Sequence, residues 1–127
     1  MAKLRYSAED LLKGKLVEEV GWYPVRVSGI EEKEARDGSQ NIIVTCVIED
    51  GKYKGVPVLR YYNEKGAGFI KNIAEAAEIA LEDNGGVFDF DLLLNKSLDA
   101  YIEQRKDDEG NMRNDIKRFR ARPVEVG

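Results

Sequence analysis

The spacing of the apolar residues changes once along this chain and then changes back, which limits the folds it can adopt. Apolar residues alternate with polar ones in three segments before Gly66 and in two segments after Asn95. Between these segments, Phe69, Ile73 and Ala77 recur at the spacing of one helix face. Alternation predicts strands and the longer spacing predicts an amphipathic helix. The expected element order is therefore three strands, one helix and two strands.

Turn residues bound each predicted element. The predicted strands cover residues 21–35, 41–49, 56–62, 96–106 and 112–121, and a long helix runs from Phe69 to a stop at Asn84-Gly85-Gly86. Residues 42–48 are apolar on both faces, as expected of a central strand. Ile116 and Phe119 break the alternation of the last strand, which predicts a bulge near Lys117.

This element order is that of the OB-fold, a five-stranded Greek-key barrel that binds oligonucleotides in many proteins. We therefore predict a mainly β protein with one long helix between strands three and four. Its 127 residues suffice for one core, so a single OB-fold domain is expected over 1–127. The N-terminal arm (residues 1–20) carries a short helix with a capping pair, Ser7 and Asp10, and residues 21–122 form the barrel.

The composition excludes several kinds of active site. The chain has no histidine and one cysteine, Cys46, which lies in an apolar run. A tetrahedral zinc site, a Ser/His/Asp triad and a Cys/His pair therefore cannot be built from one chain. The carboxylates of residues 107–109 are consecutive in a turn, as in a solvated loop. We expect no enzyme activity, no metal ligand and no cofactor.

The chain also lacks the segments that direct a protein to a membrane. Its longest near-apolar run is only as long as a strand, and acids stand where a signal peptide would have its apolar region. The expected location is the cytoplasm.

Positive charge is concentrated in residues 51–69, GKYKGVPVLRYYNEKGAGF. From Lys52 to Lys71, five cations accompany one acid, Glu64, giving +4 on a chain whose net charge is −4. The interleaved aromatic rings suggest a track for a phosphate backbone with platforms for bases. A second cluster of cations surrounds Phe119. A strand with one solvated face would show the same pattern.

The candidate nucleic-acid-binding residues combine the cations and rings of these regions. They are Trp22, Arg26, Lys52, Tyr53, Lys54, Arg60, Tyr61, Tyr62, Lys65, Arg105, Arg118 and Arg120. The alternation places Trp22 on the polar face of the first strand, although tryptophan is mostly buried. It is therefore either a stacking platform or a core residue.

Negative charge is concentrated elsewhere. Between Glu75 and Asn95 there are six acids and no cation: Glu75, Glu78, Glu82, Asp83, Asp89 and Asp91. A polyanion must bind away from this side of the protein. An alternative function is a protein-interaction adapter or host-enzyme inhibitor that uses this acidic face.

Three segments also resemble a known family: KLRYSAEDLLKGKLVEEVGWYPVRV, NIIVTCVIEDGKYKGVPVLRYYNEKGAGF and NKSLDAYIEQRKDDEGNMRNDI. This is a phage-encoded family of small proteins of unknown function, commonly labelled single-stranded-DNA-binding. The resemblance implies an OB-fold and a role in phage DNA replication or recombination, in the cytoplasm of an infected bacterium. It implies single-stranded DNA and phage replication or recombination proteins as partners. A homo-oligomer would raise avidity by repeating the basic patch.

Overall fold

A computed structural model describes residues 2–123 of the chain. Its five strands are β1 (Gly21–Glu34), β2 (Gln40–Ile48), β3 (Pro57–Asn63), β4 (Ser97–Lys106) and β5 (Met112–Ala121). Its helices are α1 (Ala8–Leu12) and α2 (Ile70–Ala76), with 3₁₀ turns at Glu64–Phe69 and Phe90–Leu93. The prediction of a mainly β protein is confirmed.

The strands form one open antiparallel sheet in the order β3-β2-β1-β4-β5. The first half of β1 pairs with β4 and the second half with β2. The register with β2 shifts between Val27 and Gly29, just after Arg26, the last residue of β1 that pairs with β4. A bulge bends its strand, so β1 serves both halves of a curved sheet. The edge strands β3 and β5 consequently lie against each other.

The alternation identified all five strands, and β5 has the predicted bounds. The bulge predicted near Lys117 is also present. Tyr101 pairs with Arg118 and Ile102 with Ile116, so Lys117 has no counterpart on β4. Ile116 and Phe119 can therefore both face the core.

The prediction of one long helix is wrong, because the helix ends at Ala76 rather than near Asn84. Glu78 adopts a left-handed conformation with φ of 60°. The amide of Glu78 then donates to Glu75 O at 3.0 Å, and the amide of Ile79 donates to Ala74 O at 2.8 Å. These two bonds form a Schellman ending. The ending turns Ile79 back against the core, which the spacing of apolar residues alone did not reveal.

Replacing Glu78 with glycine should stabilise the protein. A side chain makes the left-handed conformation unfavourable by about 1 to 2 kcal/mol, and glycine adopts it freely. Glycine also gains freedom in the unfolded chain, so we expect a net gain of about 0.5 kcal/mol in the free energy of unfolding. Chemical denaturation measures this gain. Glu78→Ala removes the same charge and should not stabilise, so equal stability of the two variants would contradict the explanation.

The core is formed by the side chains on the inward face of the sheet. Val25, Val44, Cys46 and Ile102 are fully buried there. Burial raises the pKa of the Cys46 thiol to about 12. A thiol with such a pKa stays protonated at neutral pH and is a poor nucleophile, which fits a packing role.

Two asparagine side chains bond backbone groups between distant elements. In α2, Asn72 accepts from the Phe119 amide at 2.7 Å and donates to the Phe119 carbonyl at 3.0 Å. In β5, Asn114 accepts from the Val17 amide at 2.7 Å and donates to the Lys15 carbonyl at 2.8 Å. The first pair fixes α2 on the edge strand β5. The second holds the end of the N-terminal arm against the β4–β5 hairpin.

Candidate nucleic-acid interface

The outer surface has a groove of about 320 Å³ between β3 and the tip of the β4–β5 hairpin. We call it the hairpin groove. Its cationic lining is Arg60, Arg105, Lys106 and Arg113, and its acids are Asp107 and Asp115. Four cations against two acids leave the groove positive on a negatively charged protein. Such local charge attracts an anionic ligand.

Tyr61 provides the aromatic surface of the hairpin groove. Its side chain lies on the outward phase of β3 and is 55% exposed. Its partner across the sheet is Ile43, and the next outward residue of β3 is Leu59, which is also exposed. A ring that faces solvent beside cations can stack on a base.

Arg60 is held at the edge of this groove by its neighbours. Its guanidinium lies 4.6 Å from the centre of the Tyr62 ring, and its Nη1 donates to Tyr61 O at 2.8 Å. The head group is thus oriented before any ligand arrives, which lowers the entropy lost on binding.

Tyr62 itself belongs to the core. It is 5% exposed and packs against Phe90, with ring centres 5.4 Å apart. Burial raises the pKa of its hydroxyl above the usual range. The prediction that Tyr62 stacks on bases is corrected, because its ring is covered by protein.

The lysine-rich turn between β2 and β3 requires a similar correction. Tyr53 is buried, and its hydroxyl accepts a hydrogen bond from the Glu18 amide at 3.1 Å. It therefore supports the fold and is not available to a base. Lys52 and Lys54 are exposed at this turn, with the Lys52 ammonium 5.5 Å from the Tyr53 ring centre.

Lys65 and Arg26 lie in other places. Lys65 follows β3 at the opposite end from Lys54, and its ammonium pairs with Asp37 in the β1–β2 turn. β3 has seven residues, so its ends are roughly 20 Å apart. Arg26 is half-buried on β1, where its Nη1 donates to Asn95 Oδ1 at 3.4 Å. The cations of residues 52–71 thus do not form one continuous patch.

The remaining candidates form a tryptophan cluster on the outer face of β1, β4 and β5. The cluster comprises the candidates Trp22, Arg118 and Arg120 together with Tyr101, which was not among the sequence-based candidates. Trp22 and Tyr101 meet edge to face, with ring centres 5.4 Å apart. The Arg120 guanidinium lies 4.1 Å from the Trp22 ring centre, and that of Arg118 lies 4.7 Å from the Tyr101 ring centre. Half-buried Trp22 thus stacks on arginine at the surface and is not a core residue.

The hairpin joins the tryptophan cluster to the hairpin groove. Tyr101 and Arg105 are four positions apart on β4 and share its outward phase, so they are about 13 Å apart along the strand. Between these two residues, acidic Glu103 lies opposite acidic Asp115 in the β4–β5 register. The Lys117 ammonium lies 3.2 Å from the Glu103 carboxylate. The surface between the two sites is therefore mixed in charge.

Lys106, Arg113 and Leu59 belong to the groove but were absent from the sequence-based set. They meet only because β3 and the hairpin tip come together, although they are distant in sequence. Arg113 also pairs with Asp107 at 3.0 Å and lowers the pKa of that carboxyl. Because this pair is internally neutralised, most of the free positive charge is on Arg60, Arg105 and Lys106.

The contact between Lys65 and Asp37 makes a prediction about acid titration. A hydrogen bond from Lys65 is the largest cause, and hydrogen bonds from Ser39 are the next largest, of a pKa for Asp37 that is lowered from 3.8 to about 2. The carboxylate is favoured in the folded state, so its stabilising effect is complete above the unfolded pKa and is lost as the pH falls towards 2. A carboxyl NMR titration should give this low midpoint, and Lys65→Gln should raise it. An unchanged midpoint in that variant would assign the shift to Ser39.

Residues 2–123 show neither a cluster of metal ligands nor a membrane-spanning helix. No three His, Cys, Asp or Glu side chains in that range are placed to hold a metal ion. None of the helices there is long and apolar enough to cross a membrane. Neither a protein-family model nor a curated protein sequence matches this chain.

Proposed function

We propose that this protein is a non-catalytic, sequence-tolerant binder of single-stranded DNA. The observation that carries the proposal is the hairpin groove, in which exposed Tyr61 stands beside Arg60 and Arg105. Cations neutralise phosphates, while a ring stacks on any base. A flexible single strand can present both its phosphates and its bases to such a surface.

The OB-fold is part of the proposal. Support comes from the strand order, the contact between β3 and β5, and the helix between β3 and β4. In OB-folds the face of the second and third strands and the adjoining loops bind oligonucleotides. Tyr61 lies on β3, and the β4–β5 turn borders the same groove.

We further propose that the strand runs from the hairpin groove along the hairpin to the tryptophan cluster. Arg118 and Tyr101 would receive the next nucleotides, since about 13 Å of β4 separates Tyr101 from Arg105. Lys52, Lys54 and Lys65 lie outside this path. The acids of the 75–95 segment would repel a strand from their own side of the molecule.

The function can be tested by titrating labelled oligo-deoxythymidine and a duplex of equal length at several salt concentrations. We expect the single strand to bind more tightly, with an affinity that falls as salt rises. Quenching of Trp22 fluorescence reports whether the tryptophan cluster is reached. Absence of binding to the single strand at low salt would reject the proposal.

Charge-removing variants then locate the path. Arg60→Ala and Arg105→Ala should each reduce the salt slope by about 0.7 if each cation meets one phosphate. Lys33→Ala is the matched control, because Lys33 is an exposed cation outside both sites. Arg118→Ala tests the second half of the path, and an unchanged slope there would confine binding to the hairpin groove.

The proposed setting is phage DNA replication or recombination in the cytoplasm of an infected bacterium. Its support is the resemblance of the segments around 50–55 and 113–114 to the phage family. A binder in this role should shield single strands from nuclease without cleaving them. Cleavage of the oligonucleotide by the pure protein would contradict the non-catalytic assignment.

A further inference from the structure

The segment after α2 contains a second groove, of different character. Its volume is about 410 Å³, and its apolar lining includes Ile70, Ile79, Leu81, Val87 and Leu92. Val87 is 100% exposed and Leu92 is 53% exposed. Exposed apolar side chains that line a concave surface indicate an interaction site.

Acidic side chains border this groove, and we call it the acidic groove. Glu82 and Asp89 line it, and Glu75 and Asp83, together with one cation, Lys71, line an adjoining depression that shares Leu81 and Glu82 with it. The sequence has no cation from 72 to 95. An occupant should therefore combine apolar side chains with positive charge.

The chain carries a segment with these properties at its N-terminal arm. Residues 3–6, Lys-Leu-Arg-Tyr, are the basic tip of the arm. They belong to no helix or strand, and the side chains of Leu4 and Tyr6 are 94% and 73% exposed. In an extended segment Leu4 and Tyr6 point to one side and can enter an apolar groove. The long side chains of Lys3 and Arg5 can still reach the acidic side chains that border such a groove.

The rest of the arm is fixed, so the basic tip projects from an anchored base. Ser7 and Asp10 cap α1 reciprocally, with bonds of 2.8 and 3.1 Å. Leu12 packs at Gly55, where an added Cβ would lie 2.9 Å from Leu12 Cδ1. Val17 is buried. An anchored extension loses less entropy on docking than a free peptide would.

We propose that the basic tip of one copy docks in the acidic groove of a second copy of this chain. The two surfaces are complementary in charge and in apolar content, and both occur once per chain. Reciprocal docking between two copies gives a closed dimer, whereas one-way docking gives a longer assembly. Each copy would keep its hairpin groove free, since neither docking surface includes residues of that groove.

Charge exchange tests this docking in the full-length protein. Sedimentation equilibrium of the wild type should show concentration-dependent self-association that weakens in high salt. Lys3→Glu with Arg5→Glu should raise the dissociation constant about tenfold or more, and Glu82→Lys with Asp89→Lys should do the same. Mixing the two doubly reversed proteins should restore association, because the opposite charges meet again.

Lys33→Glu with Arg36→Glu is the matched control, since both residues are exposed and the change in net charge is equal. It should associate like the Lys3/Arg5 variant if net charge alone matters, and like the wild type if the basic tip docks.

Carbodiimide cross-linking of mixed heavy- and light-isotope chains identifies the occupant. Links between Lys3 and Glu82 that join heavy to light chains support the proposal. Links confined to single chains, or a wild type that stays monomeric at all concentrations, would overturn it. Because the hairpin groove is not involved, oligonucleotide binding should survive in the Lys3/Arg5 variant, and failure of either proposal can be recognised separately.

Discussion

Replacing Tyr61 with alanine should weaken binding of oligo-deoxythymidine by about 1 to 3 kcal/mol, which is the range measured for loss of one base-stacking ring. This corresponds to roughly five- to 150-fold in the dissociation constant. Tyr61 is the exposed ring of the hairpin groove, and the cations Arg60 and Arg105 line the same groove. The measurement is fluorescence anisotropy of a labelled oligonucleotide at constant salt.

Tyr61→Phe is the matched control for this experiment. It keeps the ring and removes only the hydroxyl, so affinity should stay close to that of the wild type. The salt slope should be unchanged in both variants, because no phosphate contact is removed. Wild-type affinity in Tyr61→Ala would remove Tyr61 from the interface and leave the tryptophan cluster as the stacking site.

Replacing Arg122 with alanine should lower the free energy of unfolding by about 2 kcal/mol, between the values for exposed pairs and for broken buried pairs. Arg122 Nη2 donates to Val25 O and to Glu49 Oε1, each at 2.8 Å. Its Nε lies 3.8 Å from Asp99 Oδ1, and the Asp99 side chain is only 10% exposed. One side chain thus contacts β1, β4 and the residue that follows β2.

The size of this effect depends on which charged groups lose all their cationic partners when Arg122 is removed. Arg120 remains bonded to Asp99 at 3.2 Å, so that carboxylate keeps one cation and the loss stays below that of an isolated buried charge. Arg122→Lys keeps the charge but not the planar fork of donors, and should recover only part of the loss. Chemical denaturation measures both variants, and a change below about 0.5 kcal/mol in Arg122→Ala would show that these contacts are not stabilising.

The strands were predictable because alternation follows directly from the two faces of a sheet. Even the bulge in β5 was visible, since Ile116 and Phe119 are both apolar yet three positions apart. The end of α2 was not predictable in this way. Residues 77–81 continue the helical spacing, but Glu78 adopts a conformation that usually marks glycine.

The candidate site was predicted less well than the fold. Arg60, Tyr61 and Arg105 meet in one groove, while Tyr53 and Tyr62 are buried. Neighbouring residues of a strand face opposite sides, so Tyr61 and Tyr62 could not both be exposed on one face. The grouping of Arg60 with the hairpin arises from the contact of β3 with β5, which no local pattern encodes.

The bulge at Lys117, which has no counterpart on β4, determines which side of β5 carries its arginines. Phe119 faces the core opposite Ala100, and Arg118 and Arg120 face outward opposite Tyr101 and Asp99. If β5 had no bulge and Lys117 paired with Tyr101, the side-chain period of two would turn Phe119 to solvent and direct both arginines inward. The surface chemistry here is thus set by the position of the bulge as much as by the identity of the residues. Deletion of Lys117 should therefore keep Phe119 in the core, because Ile116 and Arg118 already pair with consecutive residues of β4.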